Sequence, residues 1–263
     1  FRLKLHQAEN RVAELNLAAA GLARRAADAA DKPVLVAGSV GPTGELFQPF
    51  GALTADAAEQ AFAEQALALA EGGVDLLWIE TMSSLEEVEA AVKGAWQTNL
   101  PVVATMTFDT AGRTMMGVTP AAFSEFATSL GLDAFGANCG IGPAELLDSV
   151  YKFEHRGENT AVIAKGNCGI PAYVDGKIHY HGTPELMAAY AILARDSGVK
   201  IIGGCCGTSP EHVRAMAQAL NKTPPKIQAT LAEIEATLGK AWKELPDNAN
   251  DRQKGFRRRR RRR

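Results

Sequence analysis

Short apolar runs alternate with amphipathic stretches along most of the chain. The apolar runs are rich in Val, Ile and Leu, which is typical of strands that are buried on both faces of a parallel sheet. The amphipathic stretches follow the 3.6-residue period of α-helices. The predicted strands cover residues 33–38, 75–81, 101–108, 134–139, 161–166 and 200–204. The predicted helices cover residues 6–30, 54–72, 84–97, 119–130, 143–153, 183–197, 210–220 and 226–244.

Strands that alternate with helices predict an α/β fold, in which a parallel sheet is covered by helices. Glycine-rich and polar segments follow the carboxyl ends of the predicted strands, which is where folds of this class place their chemistry. No Gly-x-Gly-x-x-Gly segment and no phosphate-binding Gly-Lys-Ser/Thr loop follows a strand, so neither nucleotide-binding signature is present. A chain of 263 residues, 46% of them hydrophobic, is long enough for one large core.

The charge of the chain is unevenly distributed. The net charge is −2, and the arginine run at residues 257–263 contributes +7, so that subtracting the run leaves −9 for the rest. An acidic body disfavours nucleic acid as a partner. Residues 246–263 are expected to form a disordered basic tail. No apolar run approaches the length of a membrane span, and four cysteines without a secretory signal favour a reducing cytoplasm.

Three cysteines follow predicted strands and are surrounded by glycines. Cys139 ends the strand 134–139, and Cys205 and Cys206 follow the strand 200–204. Glycines on either side allow the backbone to bend where each strand ends, so that adjacent cysteines can reach one point. Three thiolates suit a tetrahedral zinc ion whose fourth position is open, as catalytic zinc requires. The alternative at this stage is that they are small buried residues, as free cysteines often are.

The sequence resembles the zinc-dependent homocysteine S-methyltransferases from about residue 10 to residue 220. The resemblance rests on GSVGPTG at residues 38–44, Glu80-Thr81, Asn138-Cys139 and GGCCGT at residues 203–208. The family includes betaine–homocysteine methyltransferase and the homocysteine-binding module of cobalamin-dependent methionine synthase.

The resemblance implies a set of site residues. Cys139, Cys205 and Cys206 would hold Zn²⁺, and the sulfur of homocysteine would take the open position. No side chain would be catalytic beyond the zinc-activated thiolate of the substrate. Glu80 would bind the amino group of homocysteine, and Asn138 would contact the substrate or orient a zinc ligand. The product would be methionine.

The resemblance also implies a (β/α)₈ TIM barrel, which has eight strands. Only six strands are predicted, and the sequence opens with a helix, so we expect the first two strands to be absent from this chain. The expected organisation is an N-terminally truncated barrel at residues 1–222, a helical extension at 223–245 and the basic tail at 246–263. A homo-oligomer is compatible with this organisation.

The methyl donor is the part of the function with the most alternatives. Betaine or a related onium compound is favoured, with S-methylmethionine and methylated cobalamin as alternatives. An onium group would require aromatic side chains, and Trp78 is the aromatic residue nearest to the mapped site. Two other classes stay open: a zinc hydrolase, and a structural Cys₄ protein that uses Cys168 as its fourth ligand. His179 and His181 are interpreted as part of a loop over the barrel mouth.

Overall fold

The structure is a computed structural model, and it describes residues 1–157, 160–226 and 228–242. Two short 3₁₀ turns, Arg2–His6 and Glu9–Arg11, come first. The helices and strands then follow in the order α1 Val12–Asp28, β1 Ala37–Val40, α2 Ala55–Glu71, β2 Leu76–Met82, α3 Leu85–Trp96, β3 Val102–Met106, α4 Pro120–Ser129, β4 Ala134–Cys139, α5 Pro143–Tyr151, β5 Ala161–Gly166, β6 Pro171–Val174, β7 Lys177–Tyr180, α6 Pro184–Asp196, β8 Ile201–Gly204, α7 Pro210–Lys222 and α8 Leu231–Leu238.

Six strands form one curled parallel sheet, which has the architecture of a half-barrel. Their order is β1-β2-β3-β4-β5-β8, and every neighbouring pair is parallel. The predicted α/β class and the six parallel strands are therefore confirmed. Within the described residues the order is linear, so that β1 and β8 each pair with one strand only. The closed eight-stranded barrel and its two missing strands stay a prediction.

Helix boundaries follow local capping signals, which is why most predicted boundaries are accurate. The hydroxyl of Thr54 accepts a hydrogen bond from the backbone N–H of Ala57 and begins α2, which ends at Gly72 as predicted. Strands β4 and β5 have the predicted bounds. The last helix is shorter than predicted: it begins after Thr230 and ends at Gly239.

Two predicted boundaries near the start are wrong. The first helix was expected from residue 6, but α1 begins at Val12, because Gln7 has a left-handed φ of 53° that interrupts the helical path. The first strand was expected from residue 33, but its pairing with β2 begins at Ala37. The backbone N–H of Val36 instead donates to the carboxylate of Asp75, at 2.6 Å.

The sequence reading missed a β-hairpin formed by β6 and β7. Asp175 and Gly176 connect the two strands, and their φ values are 48° and 76°. Two central residues with positive φ define a type I′ hairpin turn, for which Asp-Gly is a preferred sequence. His179 therefore lies in a strand, and the segment interpreted as a loop is an ordered hairpin.

The core lies between the outer face of the sheet and the helices, and a smaller apolar cluster lies on the inner, concave face. The inner cluster centres on Val103, Ala134 and Ile163 and includes the partly buried Trp78. Because successive strand residues point to opposite faces, the same strands supply both clusters. Residues that follow these apolar positions by two along a strand, such as Lys165 after Ile163, therefore point to the same inner face near the carboxyl ends of the strands.

The proposed division of the chain at residues 222 and 245 stays a prediction. Helix α8 packs against α5 and α6, and the expected basic tail at residues 246–263 lies outside the described residues. None of the helices in the described part of the chain has both the length and the hydropathy that a membrane span requires.

Candidate metal centre

Three cysteine thiols meet at the carboxyl edge of the sheet. The sulfur atoms of Cys139, Cys205 and Cys206 all lie within 4.8 Å of one another, and those of Cys139 and Cys206 are 3.9 Å apart. The two contributing strands, β4 and β8, are separated by β5 alone. The structure thus brings together the three residues that the sequence singled out as metal ligands.

The backbone around these thiols turns through residues in left-handed conformations. Cys139 has a φ of 62° and is followed by Gly140 at 76°. The backbone N–H of Cys205 donates to the carbonyl of Gly166 at 2.7 Å, which adds one hydrogen bond to the pairing of β8 with β5. The chain then turns at Gly207, which has a φ of 78°. Because the strand ends at this point, two adjacent cysteines can face the same centre.

Asn167 holds the two cysteine loops together, and the sequence reading missed it. Its side-chain amide donates to the carbonyl of Gly140 at 2.6 Å, and its oxygen accepts from the backbone N–H of Cys206 at 3.0 Å. The residue is 3% exposed. Its position directly after β5, beside two strands that end in cysteines, is the sequence signal that could have identified it.

Asn138 connects the end of β2 to the thiols. Its oxygen accepts from the backbone N–H of Thr81 at 2.8 Å, and its amide nitrogen lies 2.8 Å from the hydroxyl of Thr81 and 4.0 Å from the sulfur of Cys205. Thr81 has a φ of 64°, and these bonds hold the turn that directly follows Glu80. Asn138 is therefore placed to position both Glu80 and a cysteine.

Glu80 meets a cation that belongs to the chain itself. One carboxylate oxygen lies 2.5 Å from the ammonium of Lys165, and the other accepts from the hydroxyl of Ser39 at 2.5 Å. The same ammonium lies 5.2 Å from the centre of the Trp78 ring. The sequence predicted that Glu80 would meet a cation, but it did not identify Lys165 as that cation. Lys165 could have been considered, because it is the one charged residue of β5.

Cys168 does not join the three thiols. Its sulfur lies 3.1 Å from Nε2 of His212 and 3.1 Å from the carbonyl oxygen of Gly182, and its side chain is buried. Within the described residues, the group that could hold a metal contains three cysteines and not Cys168. His179 and His181 are exposed and also lie outside that group.

The three thiols influence one another's protonation. The hydrogen bond from the Cys139 thiol and the positive charge of Lys165 outweigh the effect of burial and together lower the pKa of Cys205 to about 6. The same hydrogen bond raises the pKa of Cys139, and burial adds to that rise. Three clustered cysteine sulfurs are a donor set that soft or borderline metal ions such as zinc prefer.

Comparison with known proteins places this arrangement in a family. The sequence model of the homocysteine S-methyltransferases matches residues 2–220. The chain belongs to the homocysteine S-methyltransferase family. The methionine synthase of Mycobacterium tuberculosis is 32% identical over 240 residues, which cover 87% of this chain and 20% of that protein. The methionine synthase of Mycobacterium leprae is 30% identical over 221 residues, which cover 80% of this chain and 18% of that protein.

This homocysteine S-methyltransferase family member spans about a fifth of the length of those curated relatives. Among solved structures, the apo form of the homocysteine methyltransferase MmuM from Escherichia coli is similar, with a TM-score of 0.60 and 23% identity, over 79% of this chain and 75% of that one. Its metallated form has a TM-score of 0.59 and 22% identity, over 78% and 70% of the two chains. At this identity, the likeness supports the fold.

Proposed function

We propose that this chain transfers a methyl group to the sulfur of homocysteine, giving methionine, with Zn²⁺ held by Cys139, Cys205 and Cys206. The observation that carries the proposal is the convergence of three thiols in a chain of this family. A donor set of three cysteines fits a tetrahedral zinc ion that keeps one position open for a substrate sulfur. Zinc bound there would supply a positive charge that deprotonates the homocysteine thiol near neutral pH.

The protein residues around the thiols position the substrate. Asn167 holds the cysteine loops, and Asn138 holds the irregular end of β2 at Thr81. Glu80 lies on the concave face with 19% of its side chain exposed, and its carboxylate, which already bonds Lys165 and Ser39, would also receive the ammonium group of homocysteine. An electron-rich thiolate held beside these groups attacks the methyl carbon: the S–C bond forms, and the bond from that carbon to the donor's nitrogen or sulfur breaks.

The methyl donor that we propose is betaine or a related onium compound, as the sequence indicates. S-methylmethionine and methylated cobalamin are the alternatives. In this structure the Lys165 ammonium lies 5.2 Å from the centre of the Trp78 ring, so an onium group at that face would have to compete with Lys165. We also propose a cytoplasmic location, because four free cysteines suit a reducing compartment.

Zinc X-ray absorption spectroscopy with and without homocysteine tests the proposal. The zinc-loaded chain should show three sulfur ligands and gain a fourth when homocysteine is added. A structural Cys₄ site would show four sulfurs throughout, and a hydrolase site would keep an oxygen or nitrogen ligand. Methionine formation with betaine, S-methylmethionine and methylcobalamin then identifies the donor. If homocysteine leaves the zinc spectrum unchanged, the proposal is wrong.

A further inference from the structure

An ion pair crosses the concave face next to the candidate metal centre. Lys165 lies on β5 and Glu80 on β2, so that the pair spans β3 and β4. The side chains are 25% and 19% exposed, and the nitrogen and oxygen are 2.5 Å apart. Lys165 pairs in register with Asn138, whose amide lies 4.0 Å from the Cys205 sulfur. The pair is therefore part of the wall below the thiols.

The proposed function creates an electrostatic problem at this pair. If Glu80 receives the ammonium group of homocysteine, that group and the ammonium of Lys165 must share one carboxylate. Two like charges at one partner repel each other, and the repulsion is strong in a partly buried cleft. The arrangement becomes favourable when a second anion joins it. Homocysteine carries such an anion, because its α-carboxylate is attached to the same carbon as its ammonium group.

We infer that Lys165 binds the α-carboxylate of homocysteine while Glu80 binds its ammonium group, an inference that rests on the proposed function. The Glu80 carboxylate, the ammonium of homocysteine, its α-carboxylate and the Lys165 ammonium then form a ring in which negative and positive charges alternate. An ammonium has three N–H donors, so that Lys165 can hold the Glu80 carboxylate and a second carboxylate together. Its long flexible stem allows the small adjustment that this requires.

Lys165 lies close to the thiols along the neighbouring strand. Its backbone pairs with Gly203, and Cys205 follows Gly203 by two residues. Two residues along a parallel strand advance about 6.6 Å. The Lys165 side chain therefore starts from a backbone position near Cys205, on the sheet that would bind the sulfur of homocysteine.

Isothermal titration calorimetry with three thiols tests the inference on the zinc-loaded chain. The probes are homocysteine, 3-aminopropanethiol, which lacks the carboxylate, and 4-mercaptobutanoate, which lacks the ammonium. Lys165→Met should weaken homocysteine binding about tenfold to one-hundredfold, the range for a hydrogen bond to a charged group. The same variant should bind 3-aminopropanethiol as well as or better than the original chain, because the competing ammonium is gone.

Matched variants separate a specific role from a structural one. Glu80→Gln should have the opposite selectivity. It should bind homocysteine more weakly than the original chain does, but it should bind 4-mercaptobutanoate, which has no ammonium group, with unchanged affinity. Lys165→Arg retains the charge and should recover part of the affinity that Lys165→Met loses. Lys93→Met removes a comparable ion pair with Glu89 on α3, at 2.8 Å, and should change none of the three affinities.

Two results would overturn the inference, and they differ from a failure of the proposed function. Lys165→Met could weaken homocysteine and 3-aminopropanethiol by the same factor, or weaken neither. In both cases Lys165 does not recognise the carboxylate, although thiol binding and methyl transfer by the original chain would still stand. If the zinc-loaded original chain binds none of the three thiols, the proposed function itself is wrong, and the inference falls with it.

Discussion

At the scale of single residues, the site depends on side chains that tie backbone segments together. Asn167 bonds the loop after β4 to the loop after β8, and Asn138 bonds Thr81 near the end of β2 to the end of β4. Both residues are almost completely buried. Buried polar side chains with satisfied hydrogen bonds fix geometry strongly, because breaking one bond leaves an unpaired group in the interior. The positions of the three thiols therefore depend on the side-chain amides of Asn167 and Asn138 as well as on the strands that carry the cysteines.

We predict that Asn167→Ala weakens zinc binding about tenfold to one-hundredfold, although all three thiols are retained. The two cysteine loops lose their shared partner, and the backbone N–H of Cys206 loses its acceptor. Competition with a chromogenic chelator measures the affinity. Cys168→Ala is the matched control, since it alters the neighbouring buried residue but should leave zinc affinity nearly unchanged. Equal zinc affinity in the Asn167 variant and the original chain would contradict the prediction.

At the scale of elements, close packing between helices decides where a small residue is required. Gly94 of α3 lies against α2, and a β-carbon added there would come within 2.7 Å of the backbone nitrogen of Ala63. Gly21 of α1 is different, because a β-carbon would meet only the guanidinium of Arg25 at 3.5 Å. Both glycines are unfavourable for helix formation in isolation. Only the tertiary contact distinguishes them.

Gly94→Ala is expected to lower the free energy of unfolding by about 1–3 kcal/mol, the usual range for overpacking. Gly21→Ala is expected to raise it by up to about 1 kcal/mol, through helix propensity alone. Urea unfolding followed by circular dichroism measures both. If the two alanine variants change stability in the same direction, the close approach of α2 and α3 does not limit residue size at Gly94.

At the scale of the whole molecule, the linear order of the sheet has a consequence for association. Within the described residues β1 and β8 each have one strand neighbour, and Ile201 of β8 is 37% exposed. Unpaired strand edges are sites where another chain can add. A charged residue on such an edge opposes this addition, because pairing would bury its charge.

The chain should therefore associate as its concentration rises, and Ile201→Lys should reduce that association. Size-exclusion chromatography with light scattering, over a range of protein concentrations, measures the mass. Leu22→Lys is the matched control: Leu22 is 63% exposed on the helix α1 and does not belong to a strand, so its substitution should not change association. If the chain is monomeric at every concentration, the edges of β1 and β8 do not pair with a second chain and the prediction is wrong.

The α/β class, the six parallel strands and most helix boundaries could be predicted from the sequence alone, and so could the clustering of Cys139, Cys205 and Cys206. These features are local, since they depend on hydrophobic period, on caps such as Thr54 and on short segments such as Asn138-Cys139. The Asp175-Gly176 turn was equally local and could have been recognised.

The contacts between groups that are distant in the chain could not be predicted in this way and depend on the packing of the whole fold. Glu80 and Lys165 are 85 positions apart in the chain, and nothing in their separate segments indicates that they form an ion pair. Likewise, Cys168 has the same residue type and the same strand-end position as the three thiols, yet it turns towards His212. Side-chain partners across a sheet depend on strand order, register and curvature. These are settled by the packing of the whole core, because no single segment contains them.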